Sequence, residues 1–249
     1  MPDNGVLHGV AAFVTGASSG LGEATARLLR ARGALVVGAD LRPSENDQIV
    51  ACDVADEESV RSALEVVGGL GFPLRYVVNC AGIRSSTRVL SEAGPHPLAE
   101  FRRVLDVNLV GTFNVTRLAA EMIARTDSDD EGGRGAIVNT ASIAAYEGLP
   151  GQAAYAASKA AVAGMTITLA RDLAEHGIRV NSIAPGVIDS PLLDGLTPDR
   201  RRKLSEDVVF PTRLGTPDEF AELAAFLLTA RYINGEVVRI DGGLRMARG

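Results

Sequence analysis

The run Thr15-Gly16-Ala17-Ser18-Ser19-Gly20-Leu21-Gly22 narrows what this chain can fold into more than any other stretch. It follows an apolar, β-branched run and leads straight into a pattern of helical period. In that setting Gly16 suits a tight turn, Gly20 lets the backbone approach a pyrophosphate, and Gly22 lets a helix pack closely on a strand. The helix N-terminus, opening at Leu21, then presents free N–H groups and partial positive charge to phosphates. The spacing is G-x-x-x-G-x-G rather than the commoner G-x-G-x-x-G. The turn alone is therefore a weak sign, and its weight comes from its flanks and from an acid further along.

That acid is Asp40, eighteen residues past Gly22 at the end of the second apolar run. A carboxylate there can accept hydrogen bonds from ribose hydroxyls and would repel a 2′-phosphate. Ser19, immediately before Gly20, offers no basic side chain to that phosphate. Both features favour NAD over NADP, while Arg42, two residues on, could partly accommodate the phosphorylated form.

Short β-branched runs at residues 10–15, 34–39, 48–52, 75–80, 136–140, 178–183 and 236–240 predict seven strands. Helical periods fall between them at 21–32, 57–67, 99–125, 153–176 and 217–229. Such alternation implies an α/β chain with a parallel sheet covered by helices on both faces, a doubly wound Rossmann fold. No linker or repeat divides the 249 residues, so one domain spanning 1–249 is expected. Two segments break the rhythm. Residues 127–134 begin like a calcium loop at Asp127, Asp129, Glu131 and Gly132, but Val138 stands where the twelfth-position Glu belongs, so a solvated loop is expected. Residues 189–211 form a long polar stretch bounded by prolines, as substrate lids often are.

A net charge of -6 argues against nucleic acid as a partner. No apolar run reaches membrane-spanning length, and Met1-Pro2-Asp3-Asn4-Gly5 has neither a basic nor an apolar leader character, which points to the cytoplasm. Cys52 and Cys80 read as buried, reduced thiols. His8, His96 and His176 lack ligand spacing, so no metal is expected.

Tyr155-Ala156-Ala157-Ser158-Lys159 opens the fourth helical stretch, which puts Tyr155 and Lys159 on one face a turn apart. Ser142 lies just past the fifth strand, at the carboxyl edge where open α/β sheets bind ligands. The chain has only two lysines, Lys159 and Lys203, among many arginines, so a lysine at 159 suggests a role that a guanidinium cannot fill. An adjacent ammonium and a cationic nicotinamide ring should lower the pKa of Tyr155 and favour its phenolate. Ser142 could then hold a substrate oxygen while Tyr155 exchanges a proton with it.

On Thr15–Gly22, Asn79-Cys80-Ala81-Gly82, Asn108, Ser142, Tyr155-x-x-x-Lys159 and Pro185-Gly186, the chain resembles the short-chain dehydrogenase/reductases from end to end. The resemblance implies that Asn108 completes the catalytic set through a water-linked proton relay. It implies that Asp53-Val54 meet the adenine, that Cys80, Ala81 and Gly82 line the cofactor cleft, and that Ile188 and Ser190 meet the carboxamide. Ser190 stands where relatives usually carry Thr. Residues 101–118, 139–159, 210–215 and 234–246 look closer still to the type II 3-hydroxyacyl-CoA dehydrogenase branch, also described as NAD-dependent hydroxysteroid dehydrogenases. That likeness implies an acyl-CoA substrate faced by Gln152, and a homotetramer paired through the long helices. Leu149 departs from the polar residue of some relatives. Independently of any likeness, Arg200-Arg201-Arg202-Lys203 in the lid segment could receive the phosphates of coenzyme A or form a solvated helix face. The alternatives are a steroid or secondary-alcohol dehydrogenase, a 3-oxoacyl-carrier-protein reductase, and a non-catalytic dinucleotide-binding regulator or scaffold.

Overall fold

Phe13 and Val14 point to opposite sides of the first strand, and both are fully buried. A strand needs cover on both faces for that, which parallel sheets receive from their crossover helices. The computed structural model, which describes residues 7–44 and 48–246, is built this way. The expectation drawn from residues 1–5 falls outside the described residues. The first half of the chain runs β1 (Ala11–Thr15), α1 (Gly20–Ala31), β2 (Leu35–Asp40), β3 (Ile49–Ala51), α2 (Glu57–Gly68) and β4 (Leu74–Asn79). A small hairpin, β5 (Leu90–Ser91) and β6 (Gly94–Pro95), leads into α3 (Leu98–Leu105), α4 (Thr112–Ala124) and β7 (Gly135–Thr140). The chain continues through α5 (Ala153–Asp172), β8 (Ile178–Pro185), α6 (Pro198–Glu206), α7 (Pro217–Thr229) and β9 (Val237–Ile240).

Seven strands form one parallel sheet in the order β3-β2-β1-β4-β7-β8-β9. One apolar core gathers Phe13, Val37, Leu64, Leu118 and Ile123 on one face, and a second gathers Val14, Val36, Leu29, Phe220 and Leu227 on the other. Helix starts follow local chemistry. Asp56 caps α2 by accepting from the Ser59 N–H at 2.7 Å. Thr216 and Glu219 cap α7 reciprocally, with Pro217 in its first turn. β1 pairs with β2 on one side and β4 on the other, so the crossovers leave in opposite directions there. That reversal opens a crevice at the carboxyl ends of the strands.

Three expected elements differ. Residues 99–125 are not one helix: between α3 and α4 the backbone widens into a π turn at Asp106–Gly111. The widening falls where Asn108 turns its amide onto Ile83 and where Gly111 packs on Val54 (a Cβ on Gly111 would lie 2.6 Å from Val54 Cγ2). The stretch 153–176 ends as a helix at Asp172 and closes with a single turn at Ala174–His176, where Gly177 takes φ 67. Residues 189–211 are not a plain loop but carry a short turn, Pro191–Leu193, and helix α6. α6 buries no residue, so it has no apolar stripe for periodicity to detect. The loop around Asp129 closes on itself: Asp129 accepts from the N–H groups of Gly133 and Glu131 and pairs with Arg231.

Candidate active site

A cavity of about 790 Å³ runs along the carboxyl edge of the sheet, from Asp40 at the end of β2 to Ser142 beyond β7. The cofactor positions singled out above line it, including Ser19, Leu21, Asp53, Val54, Pro185, Gly186, Ile188 and Ser190, and so do Ser142, Gln152 and Tyr155. Asn108 does not line it.

The glycine turn is bare for steric reasons. Gly16 takes φ 67, and a Cβ there would stand 2.8 Å from the Ala81 nitrogen. A Cβ on Gly22 would stand 2.2 Å from the Gly16 carbonyl oxygen, so helix α1 approaches the turn only with glycine at that position. Ser19 makes no side-chain capping bond, which leaves the first-turn N–H groups of α1 to an external anion. Thr15 Oγ1 accepts from the Cys80 and Ala81 N–H groups, both at 3.1 Å, and pins the end of β4 against the turn. Asp40 accepts one backbone N–H on each oxygen, from Ser18 at 3.3 Å and Arg42 at 3.1 Å, which keeps its carboxylate facing the turn with lone pairs to spare. This backbone cradle, helix end and carboxylate fit a dinucleotide.

The proton-transfer end is built by hydrogen bonds that aim four side chains. Ser142 Oγ accepts from the Ala144 N–H at 3.1 Å, so its own proton is available to donate into the cavity. Lys159 Nζ is buried, donates to the Thr140 carbonyl at 2.7 Å, and lies 5.8 Å from the centre of the Tyr155 ring. Asn108 is fully buried; its Oδ1 accepts from the Ile83 N–H at 2.8 Å and its Nδ2 donates to the Ile83 carbonyl and Ser158 Oγ. Ser158 Oγ in turn donates to the Tyr155 carbonyl at 2.8 Å, so Asn108 braces the first turn of α5 against the segment after β4.

The electrostatics correct one expectation. Burial is the largest influence on Tyr155 and raises its pKa above the ordinary value, while a Ser142 hydrogen bond and the charge of Arg84 act the other way. The same burial pulls Lys159 down to about 8, partly opposed by the nearby Cys80. Burial also pushes the Cys80 thiol up to about 12 and the Cys52 thiol up to about 11, which keeps both protonated. A phenol in this pocket therefore yields its proton only with cationic help. Arg84, which nothing in its local sequence marks, is part of that help.

The basic run of the lid segment also sorts differently. Arg201 pairs with Asp189 and Asp194, and Arg202 pairs with Asp199 and Glu206. Only Arg200 of the four lines the cavity. Gln152 lines it too, with its Oε1 held by the Leu149 N–H at 3.1 Å.

A doubly wound parallel sheet with a glycine cradle at its switch point defines the dinucleotide-binding α/β proteins. A family model described as Enoyl-(Acyl carrier protein) reductase matches residues 16–245. The chain is 46% identical to the Homo sapiens 3-hydroxyacyl-CoA dehydrogenase type-2 over 252 residues, covering 96% of this chain and 97% of that protein. Identity to the Bos taurus protein of the same name is 44%, with the same coverage. The crystal structure of 3-hydroxyacyl-CoA dehydrogenase type-2 from Mycobacterium avium superposes with a TM-score of 0.90 at 45% identity, covering 97% of this chain and 98% of that one. The chain belongs to the short-chain dehydrogenase/reductase family. It is therefore an oxidoreductase that uses a nicotinamide dinucleotide.

Proposed function

We propose that this enzyme reversibly oxidises the secondary alcohol of a 3-hydroxyacyl-CoA to the 3-oxo thioester with NAD, using Tyr155 as the base. The observation that carries the chemistry is the convergence of Ser142, Tyr155 and a buried, depressed-pKa Lys159 on one cavity with the glycine cradle. Near-full-length identity to proteins named for that substrate supports its class. When bound, the nicotinamide supplies the two-electron acceptor for hydride from the alcohol carbon. Ser142 donates to the substrate oxygen and fixes it beside Tyr155, which takes the hydroxyl proton as the carbonyl forms. Lys159 and Arg84 favour the phenolate; Asn108 positions Tyr155 through Ser158. Asp53 and Val54 face the adenine, Asp40 the ribose, Ile188 and Ser190 the carboxamide, and Gln152 the substrate. Residues 189–211 act as a lid stapled by the Arg201–Asp189 pair.

A homotetramer is the proposed assembly, supported by the exposure of Val110, Phe113 and Ile167 on or beside α4 and α5. Among the described residues no helix is long and apolar enough to cross a membrane, and a cytoplasmic address is proposed. The substrate reading is tested by assaying a panel of 3-hydroxyacyl-CoAs, steroids and simple secondary alcohols with NAD and NADP. The expected outcome is the highest kcat/KM for a 3-hydroxyacyl-CoA; a steroid or simple alcohol well ahead of every thioester would replace it.

Cofactor choice gives a separate prediction. With Asp40 accepting from ribose hydroxyls, the wild type should prefer NAD to NADP by at least about tenfold in kcat/KM. Asp40→Ala should narrow the ratio mainly by losing NAD. Equal use of both dinucleotides by the wild type would hand control of that site to Arg42, which also lines the cavity.

A further inference from the structure

Besides Arg42 at the β2 end, four arginines line the cavity without a carboxylate partner among the described residues: Arg84 and Arg88 after β4, Arg103 on α3, and Arg200 on α6. The two arginines that follow Arg200 behave otherwise. Arg201 and Arg202, next along α6, are each bonded to two acids, and elsewhere Arg117 and Arg213 each pair with one. Unpaired guanidiniums in one cavity repel one another, and in a chain of net charge -6 carboxylates to quench them are plentiful. Arg84 is half-buried and its charge reaches Tyr155, whereas Arg88, Arg103 and Arg200 are exposed. The set thus extends from the proton-transfer residue out to the rim. A ligand that matches has an uncharged reacting end held inside and an anionic end left outside. Guanidinium forks bind phosphate in two-point fashion, so phosphate is the anion they fit best.

We infer that Arg88, Arg103 and Arg200 form the phosphate-receiving rim of the substrate site and hold the phosphorylated end of a coenzyme A thioester, with Arg84 left at the reacting end. The inference rests on the substrate class proposed above. It moves the expected coenzyme A contacts from the consecutive run Arg200–Lys203 to a set that the topology assembles from three segments.

The test uses the double variant Arg88→Gln/Arg200→Gln, which leaves Arg84 beside Tyr155 in place. Three 3-hydroxybutyryl thioesters are compared at saturating NAD: of pantetheine, with no phosphate; of 4′-phosphopantetheine, with one; and of coenzyme A. KM for the coenzyme A thioester should rise about tenfold with kcat little changed, because remote contacts bind ground and transition states alike. KM for the phosphopantetheine thioester should rise less, that for the pantetheine thioester should not move, and Lys at both positions should restore part of the loss. Equal losses on all three thioesters, or a matching loss of NAD affinity, would overturn the inference. A loss as large with phosphopantetheine as with coenzyme A would instead assign the rim to a carrier-borne arm and overturn the coenzyme A assignment. Calorimetric titration of free coenzyme A into the NAD-saturated enzyme separates the two levels of the argument. Binding that weakens about tenfold in the double variant, in an enzyme that turns over no thioester, keeps the phosphate rim and removes the proposed reaction. Wild-type binding no tighter than that of pantetheine would remove the rim itself.

Discussion

Tyr155→Phe should lower kcat for alcohol oxidation by about 10³-fold or more while leaving NAD affinity within a few-fold of wild type. Removal of one hydroxyl takes away the only phenolic oxygen at the Ser142 end of the cavity but leaves the ring that packs there. The loss should fall on the chemical step and appear undiminished in single-turnover experiments, where product release plays no part. The pH dependence has a definite sign. Oxidation requires Tyr155 unprotonated, and burial raises its pKa, so the oxidation rate of the wild type should climb with pH into the alkaline range. Reduction requires the protonated phenol and should fall over the same range. A variant that keeps a tenth of wild-type kcat would move the base elsewhere.

Lys159→Met should also be severe, with kcat down by about 10²-fold or more, yet it should not destabilise the fold in proportion. Among the described residues Lys159 has no carboxylate partner, and its pKa falls from 10.5 to about 8 on burial. A lysine with a depressed folded pKa destabilises the protein while it is charged in both states, below about pH 8. That cost, about 3 kcal/mol, is relieved as pH rises from the folded toward the unfolded value. Against it stands the Thr140 carbonyl, which methionine would leave without its buried donor at a cost of about 1–3 kcal/mol. Urea melts should therefore show variant and wild type close together near pH 7, with the variant falling behind between pH 8 and 10. A constant gap across that range would mean that Lys159 is not buried in its charged form. Lys159→Arg should not rescue activity, since the slot beneath the Thr140 carbonyl holds an ammonium rather than a planar fork.

What could be read from residues alone was local. The glycine turn, Asp40 and the Tyr155–Lys159 pair each announce themselves within a few residues, because strand end, helix start and helical spacing are short-range facts. The seven sheet strands were legible for the same reason, since their buried faces demand β-branched runs. The π turn at Asp106–Gly111 was not, because it depends on Ile83 and Val54 from distant segments, and the apolar pattern runs through it. Helix α6 was hidden by its lack of a buried face. The Tyr155 pKa was misjudged because composition shows the neighbouring cation but not the burial that outweighs it. Arg84 and Arg88, Arg103, and Arg200 come from three separate segments of the chain, and the fold brings them to one cavity. The two short strands Leu90–Ser91 and Gly94–Pro95 pair across only two residues, too few for an alternating pattern to register.

The central claim is that hydride leaves the alcohol carbon of a 3-hydroxyacyl-CoA for NAD while Tyr155 removes the hydroxyl proton. The most direct test gives the enzyme a 3-hydroxybutyryl-CoA deuterated at carbon 3 and follows the label by mass spectrometry. The account predicts that deuterium appears in the reduced nicotinamide, one for each 3-oxo thioester formed, and that Tyr155→Phe stops the transfer. Deuterium released to solvent, or a substrate left unoxidised under conditions where the same enzyme and NAD oxidise another alcohol, would contradict it.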